Sequence, residues 1–344
     1  MSESNNLVSI IIPCYNASDY IERCLASLEN QTYKNFETII VDDCSNDDTV
    51  EKIAALENKF DYRIQVLKNN KNIGPSLSRQ KGISASSGDY IWFCDSDDWF
   101  DDIFIEKMLS SLSNADADIV FCGYKVVDKN SKTEYRKLRF DSQPITKQDS
   151  LVVDCDSLCM SLMKKSIIEN IEMPDIRNGE DAALIPILIN NSNKVCLVPD
   201  CLYNYYRRTG SASQQSNMSI VYSLNESLAF IKKHLSASYA YEVEYLGIRN
   251  YLYPCMITLF SISYSRKEGI KLLREFETTF PKWAKNKFIK KMPRYKRLIL
   301  TLLRMRAFLL IRFIALVRLK KSSWTYRGSN PHNGEFRNLL IYGI

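Results

Sequence analysis

Histidine is almost absent from this 344-residue chain: His234 and His332 are the only two. That argues against histidine-rich metal chemistry. The ten cysteines include no Cys-x-x-Cys pair, which weakens zinc and thioredoxin-like readings. They read as reduced core cysteines of a cytosolic protein. No Gly-x-Gly-x-x-Gly follows the first apolar run, where Pro13-Cys14-Tyr15-Asn16 stands instead, and there is no P-loop. Rossmann dehydrogenases and P-loop NTPases are therefore set aside. Internal repeats, Gly/Ser linkers and low-complexity tracts are missing too. Met1–Asn6 is short and polar, unlike a signal peptide. The longest uninterrupted apolar stretches within 298–319 are five or six residues, too short to span a bilayer.

What is present is an ordinary globular composition, 45% hydrophobic and 25% charged, at a length that suits two domains or one domain with an appendage. The net charge of +6 is unevenly placed. Residues 282–321 hold fourteen Lys or Arg and no Asp or Glu, which leaves 32 basic against 40 acidic residues elsewhere, a balance of −8. A basic segment on an acidic body points to an anionic partner surface.

Four short apolar runs, Leu7–Pro13, Thr38–Asp42, Ile64–Leu67 and Tyr90–Cys94, read as buried strands. Helical patterns lie between them. One starts near Ser18 with Ile21, Cys24, Leu25 and Leu28 on one face. One is capped by Asn46 or Asp47, with Val50, Ile53, Ala54 and Leu56 inward. A third spans Ser76–Ala85. This alternation predicts an α/β fold with a mostly parallel sheet flanked by helices, and ligands bind at the carboxyl edge of such sheets. A helix over Phe104–Leu112 is followed by a strand pair, Asp118–Val127 and Glu134–Phe140. Helical stretches near Asp149–Lys165 and Asp181–Asn191 come next, then strands Val195–Val198 and Leu202–Arg207. A helical region runs from Met218 to about Leu319.

Asp95-Ser96-Asp97-Asp98, just past the fourth strand, carries the strongest local signal. Alternate carboxylates there can hold one hard cation, and a cation bridging a diphosphate neutralises the charge of a leaving nucleoside diphosphate. An EF-hand fails because Trp99 takes a ligand position.

Four segments in order, Val8–Asn16, Ile40–Asp47, Asn72–Arg79 and Gly88–Asp98, resemble family-2 glycosyltransferases with a GT-A fold, and the match covers roughly residues 7–213. The resemblance implies an inverting enzyme of the bacterial polysaccharide-assembly type. It implies that Pro13, Tyr15 and Asp43 border the nucleoside, with Asp43 accepting from the base. Arg79 orders the nucleotide side, Asp95 approaches the ribose, Ser96 belongs to the nucleotide-binding set, and Asp97 ligates Mn²⁺ or Mg²⁺. Gln80 stands where many relatives carry Asn. Gly179-Glu180-Asp181 resembles the motif whose Asp is the catalytic base, a role that suits a carboxylate at a helix N-terminus. Tyr206-Arg207-Arg208-Thr209-Gly210-Ser211 resembles a segment whose Arg207 or Arg208 clamps the diphosphate.

The expected organisation is a GT-A domain over 1–215, a helical extension over 216–281 and a basic amphipathic tail over 282–344. As one continuous helix, the tail segment places Arg297, Arg304, Arg312 and Arg318 within an arc of about 120°, with Arg306 opposite, which suits a helix lying in a membrane interface. The expected co-substrate is a UDP-sugar. The expected acceptor is a glycan or a polyprenyl-diphosphate-linked glycan, and the expected location is cytoplasmic, peripheral at the inner face of the cell membrane. No nucleic-acid recognition motif accompanies the basic charge. Two alternatives stay open: a catalytically inactive nucleotide- or glycan-binding subunit, and a metal-dependent phosphotransferase or phosphatase.

Overall fold

A computed structural model describes residues 6–57, 59–138, 145–153, 155, 157–208, 218–235, 237–262 and 265–325. The chain divides into two compact units, Met1–Ser211 and Ala212–Ile344.

The first unit is built on a nine-stranded sheet. Its opening half comprises β1 (Val8–Cys14), β2 (Phe36–Asp42), β3 (Ile64–Lys68) and β4 (Tyr90–Phe93), paired in parallel in the order β3-β2-β1-β4. Every residue of β1 and β2 is buried, as expected for parallel strands covered on both faces. The covering helices are α1 (Ile21–Glu29), α2 (Thr49–Glu57) and α3 (Pro75–Ala85). On α1 the buried positions include Ile21, Cys24, Leu25 and Leu28, one face of a 3.6-residue period. Asp47 caps α2 by accepting from the Thr49 amide at 3.2 Å. Ile53 and Leu56 are buried on α2, whereas Ala54 faces solvent, against expectation.

The second half of the sheet is mixed. After β5 (Trp99–Phe100) and α4 (Phe104–Ala115) come β6 (Ile119–Asp128), β7 (Thr133–Arg136), α5 (Lys147–Leu151), β8 (Ser161–Lys164), α6 (Glu180–Asn191) and β9 (Val195–Arg207). The order continues β4-β8-β6-β9-β5, with β7 also on β6. Helix was expected across 149–165, yet α5 ends at Leu151. Ser161–Lys164 instead forms a strand wedged antiparallel between β4 and β6. The two strands expected over 195–207 are one, with its register to β6 shifting around Gly123. The expected strand Glu134–Phe140 runs to Arg136, and residues 139–144 lie outside the described part. Trp92 anchors this half: its ring stacks on Phe104 at 4.0 Å and its indole N–H donates to the Cys159 carbonyl. All ten cysteines are free. Most are buried, and burial pushes the Cys14 thiol up to about 12, which keeps it protonated and unreactive.

The second unit is helical: α7 (Met218–His234), α8 (Ala240–Gly247), a π-turn over 248–252, α9 (Tyr253–Ile262), α10 (Arg266–Thr279), α11 (Arg294–Arg304) and α12 (Phe308–Thr325). The basic tail is not the one continuous helix that its pattern predicts. It breaks at Arg306, which adopts φ +56° and donates to Glu277 on α10 at 3.1 Å. Arg297 and Arg304 therefore belong to one helix and Arg312 to the next, so a single arginine arc does not form. The side chain of Arg318 and residues 326–344 lie outside the described part. Helix α12 buries Phe308, Ile311 and Ala315 but leaves Leu309, Leu310, Phe313, Leu316 and Val317 exposed. It is apolar on two faces, and the second of these is open to solvent. Among the described residues no helix is long and apolar enough to cross a membrane.

Candidate active site

Parallel pairing brings the carboxyl ends of β1 to β4 to one edge. The Asp43 amide donates to the Cys14 carbonyl at 2.7 Å, and the Asn69 amide to the Asp42 carbonyl at 2.8 Å, so the loops after three strands lie side by side. Pro13 closes this edge from β1 and is buried; Tyr15 follows it, 43% exposed. Asn16, at φ +49°, accepts from the Asn46 amide and donates its own to Ser45, tying the first loop to the second.

Asp43 is buried and already well employed. One carboxylate oxygen accepts from Asn69 Nδ2 at 2.9 Å and from the Ile73 amide at 2.8 Å; the other accepts from the Gly74 amide at 2.7 Å. These bonds fix the loop before α3, where Gly74 holds φ +89°, a backbone position that a side chain rarely adopts. A carboxylate offers about four acceptor directions, so one remains for a ligand N–H.

The centre of the site is Arg79 on α3, 3% exposed. Its Nη1 reaches Glu180 Oε1 and Asp181 Oδ1, both at 3.1 Å, while Nη2 reaches Asp95 Oδ1 at 3.0 Å. One guanidinium thus joins the end of β4 to the start of α6. Gly179, at φ +86°, turns the chain into α6 and so aims both acids inward. The other oxygen of Asp181 accepts from the Leu158 amide at 3.0 Å. Burial pushes Glu180 up to about 7, with the Asp181 charge adding and Arg79 opposing. Burial also raises Asp181, against the pull of Arg79. A raised carboxylate is a stronger base than a free one, which suits proton abstraction near neutral pH. Three acids against one cation is a net negative centre, and losing Arg79 would leave them uncompensated.

Next to this centre lies the acidic turn. Asp97 Oδ2 sits 2.9 Å from Arg208 Nε. Burial pushes Asp97 up to about 6, helped by the charge on Asp95 and opposed by Arg208. The Asp97 carbonyl accepts from Arg23 Nη2 at 2.7 Å. Asp98 turns away from any ligand: it is buried, and accepts from the Tyr203 hydroxyl and from the Tyr206 amide at 2.7 Å. It ties the turn to β9. Ser96 lies beside the Cys14 thiol. Arg207 stands opposite Asp128 in the β6–β9 register, so Arg208 is the arginine at the acidic turn. Thr209, Gly210 and Ser211 lie outside the described residues.

The acidic turn fits a divalent cation. A guanidinium stands on the Asp97 carboxylate, and Asp95 crowds it with a second negative charge. Among the described residues no three metal-binding side chains cluster into a cage. A cation held by Asp97 would need its remaining ligands from a bound diphosphate and water.

Sequence reasoning missed several of these roles. Arg23, Asn69 and Tyr203 gave no local signal, and Asp98 was read only as part of the acidic turn, because each acts through a contact more than twenty-five residues away in sequence. Gln80 is explained: its Oε1 accepts from the Met173 amide at 2.8 Å, bracing α3 against the segment that leads to Gly179.

At the carboxyl edge of the sheet one arginine thus joins the acidic turn to the two acids that open α6, and comparison with known proteins gives the class: a nucleotide-sugar-dependent glycosyltransferase. Residues 9–172 match the sequence pattern of Glycosyl transferase family 2. The putative teichuronic acid biosynthesis glycosyltransferase TuaG of Bacillus subtilis is 31% identical over 205 residues, covering 60% of this chain and 81% of TuaG. The chain belongs to glycosyltransferase family 2. S. aureus TarS 1-349 in complex with UDP-GlcNAc shares the fold, with TM-score 0.61, 21% identity and 92% of each chain covered. The mannosyltransferase PcManGT of Pyrobaculum calidifontis, solved with GDP-Man and Mn²⁺, is similar at TM-score 0.54 and 14% identity, over 90% of this chain and 86% of that one.

Proposed function

We propose that this protein is an inverting transferase that moves a sugar from a UDP-sugar to a glycan or lipid-linked glycan in polysaccharide assembly, with Asp181 as base. The observation that carries this reading is the Arg79 hub. It brings Asp95 and Asp181, from motifs 86 positions apart, onto one guanidinium. In this scheme Pro13, Tyr15 and Asp43 border the nucleoside, Asp43 offers its remaining acceptor direction to a base N–H, Asp95 faces the ribose, and Ser96 belongs to the same nucleotide-binding set. Asp181 takes the proton from the acceptor hydroxyl as that oxygen attacks the anomeric carbon. The bond to the diphosphate breaks on the opposite side, so the configuration inverts. Arg208 leaves Asp97 and closes on the diphosphate. Asp97 would hold Mn²⁺ or Mg²⁺, which would supply Lewis-acid neutralisation of the leaving diphosphate. TarS with UDP-GlcNAc and PcManGT with Mn²⁺ support the donor and metal assignments by likeness of fold, and TuaG's name supports a polysaccharide product.

The test is acceptor-free hydrolysis of a panel of UDP-, GDP- and TDP-sugars with Mn²⁺. At least one UDP-sugar is expected to be cleaved, with UDP binding more tightly than GDP by calorimetry. No hydrolysis of any donor, with no nucleotide bound, would return the chain to the inactive-subunit reading. Release of inorganic phosphate from simple phosphoesters would point to the phosphotransferase instead.

The location proposed is the cytoplasmic face of the membrane. The exposed face of α12 supports it: Leu309 and Phe313 are 68% and 67% exposed, within a segment carrying fourteen basic and no acidic residues. Basic side chains near anionic lipid contribute about 1 kcal/mol each at best. Co-sedimentation of the full chain with phosphatidylserine-containing vesicles is expected, weakening with salt. The double substitution Leu309→Asp and Phe313→Asp should release most of the protein to the supernatant. Unchanged sedimentation would leave α12 a packing element and remove the argument for a lipid-linked acceptor.

A further inference from the structure

Beside the acidic turn, a cleft of ≈ 450 Å³ opens on one face of the sheet's far end. Its floor follows from strand register. Tyr135 on β7 pairs with Lys125 on β6, Lys125 with Asn204 on β9, and Asn204 with Trp99 on β5. The four side chains form one cross-strand row. Tyr206, two residues beyond Asn204, falls on the same face. Three strand spacings separate Tyr135 from Trp99, about 14 Å, long enough for a short run of sugar units. The floor is pre-set: Asp101 accepts from Lys125 Nζ at 2.7 Å and from Asn204 Nδ2 at 3.1 Å, which holds both polar groups in place.

The two ends differ. Tyr135 at the outer end is 63% exposed. At the inner end the Arg23 guanidinium lies 4.0 Å over the Trp99 ring and 4.4 Å from that of Tyr206. The same guanidinium donates to the Asp97 carbonyl. The inner wall of the cleft is thus bonded to the turn that faces the donor diphosphate. Flat aromatic faces spaced along a polar floor match a pyranose chain, whose rings present apolar C–H faces and equatorial hydroxyls.

We infer that this cleft binds the acceptor glycan: its sugar units lie along Trp99, Tyr206 and Tyr135, with the accepting end toward the acidic turn, whose Asp95 is joined through Arg79 to the base Asp181. The inference rests on the transferase reading above and names where that enzyme's second substrate sits. Lys125 and Asn204 bond the hydroxyls of units near the centre. Tyr135 stacks on a unit further from the reaction, so it sets acceptor affinity rather than the chemical step.

The experiment uses the full-length protein and the glycolipid extract of membranes from the organism that makes it, with labelled UDP-sugar and Mn²⁺. Transfer to the extract and acceptor-free donor hydrolysis are measured in parallel. Tyr135→Ala is expected to raise the half-saturating extract concentration about ten-fold, the loss of one aromatic contact. Thr133→Trp, which fills the cleft from β7, should stop transfer while donor hydrolysis continues. Unchanged transfer in both variants overturns the cleft assignment. An equal fall of transfer and hydrolysis overturns it too, because the cleft would then act on the donor or on folding. Loss of both activities already in the wild-type protein strikes the transferase reading itself.

Discussion

Asp181→Asn lowers sugar transfer by about 10²-fold or more, while UDP affinity stays within a few-fold of wild type. The amide keeps the shape of the carboxylate but cannot take the acceptor's proton. The two oxygens of Asp181 both accept hydrogen bonds, one from Arg79 and one from the Leu158 amide. The side-chain nitrogen that the substitution introduces would therefore face a donor whichever way the amide turns, and a small loss of thermal stability should accompany the loss of activity. Glu180→Gln is the control, since Glu180 shares the same guanidinium nitrogen. Its transfer rate should fall less than ten-fold, about one decade at most. Normal turnover in Asp181→Asn together with loss in Glu180→Gln would move the base to Glu180.

Removal of divalent metal is the second large effect. With excess EDTA, transfer and donor hydrolysis should drop by about 10²-fold or more, the several kcal/mol that a Lewis acid supplies at a developing charge. Asp97→Ala should give the same loss with the fold intact. Arg208→Gln separates two roles of one contact. Arg208 occupies Asp97 at 2.9 Å, so its removal frees the carboxylate, and Mn²⁺ affinity without nucleotide should rise. Transfer should nonetheless fall, because the diphosphate loses its clamp. Mn²⁺ binding is read by electron paramagnetic resonance, independent of turnover. Full activity in chelator would end the metal assignment, and unchanged Mn²⁺ affinity in Arg208→Gln would end the competition.

The opening half of the first unit was readable because each of its strands is a short run rich in apolar β-branched or aromatic residues that leads into polar ones. β1, β2, β3 and β4 all follow that rule. The other half broke it. Ser161–Lys164 is four residues long and takes its strand conformation from β4 and β6 on either side, a tertiary effect that no local propensity encodes. Trp99–Phe100 is shorter still and exists through β9. The break between α11 and α12 falls at Met305-Arg306-Ala307, with no Gly or Pro to mark it. At the site, sequence motifs located Asp95, Asp97 and Asp181 but gave Arg79 a role only on the nucleotide side. That it also holds Glu180 and Asp181 depends on a contact spanning about a hundred positions. An amphipathic tail was legible, but not which apolar side chains of α12 stay exposed, since Leu and Phe residues look the same in sequence whether a neighbour covers them or not.

The Arg79 hub also sets a schedule for synthesis. A ribosome that has released β1 to β4 has delivered Arg79 and Asp95, but Glu180 and Asp181 are still unmade. The nascent chain then holds a cation meant for three acids and can offer it one. β8, which closes the exposed edge of β4, has not yet been made either. An open strand edge beside an underpaired arginine is a surface that other chains can join. The vulnerable interval lasts until α6 clears the exit tunnel, so rare codons placed shortly before or after α6 would lengthen it and lower the yield of folded enzyme, whereas the same codons placed far enough past β9 for α6 to have emerged would not.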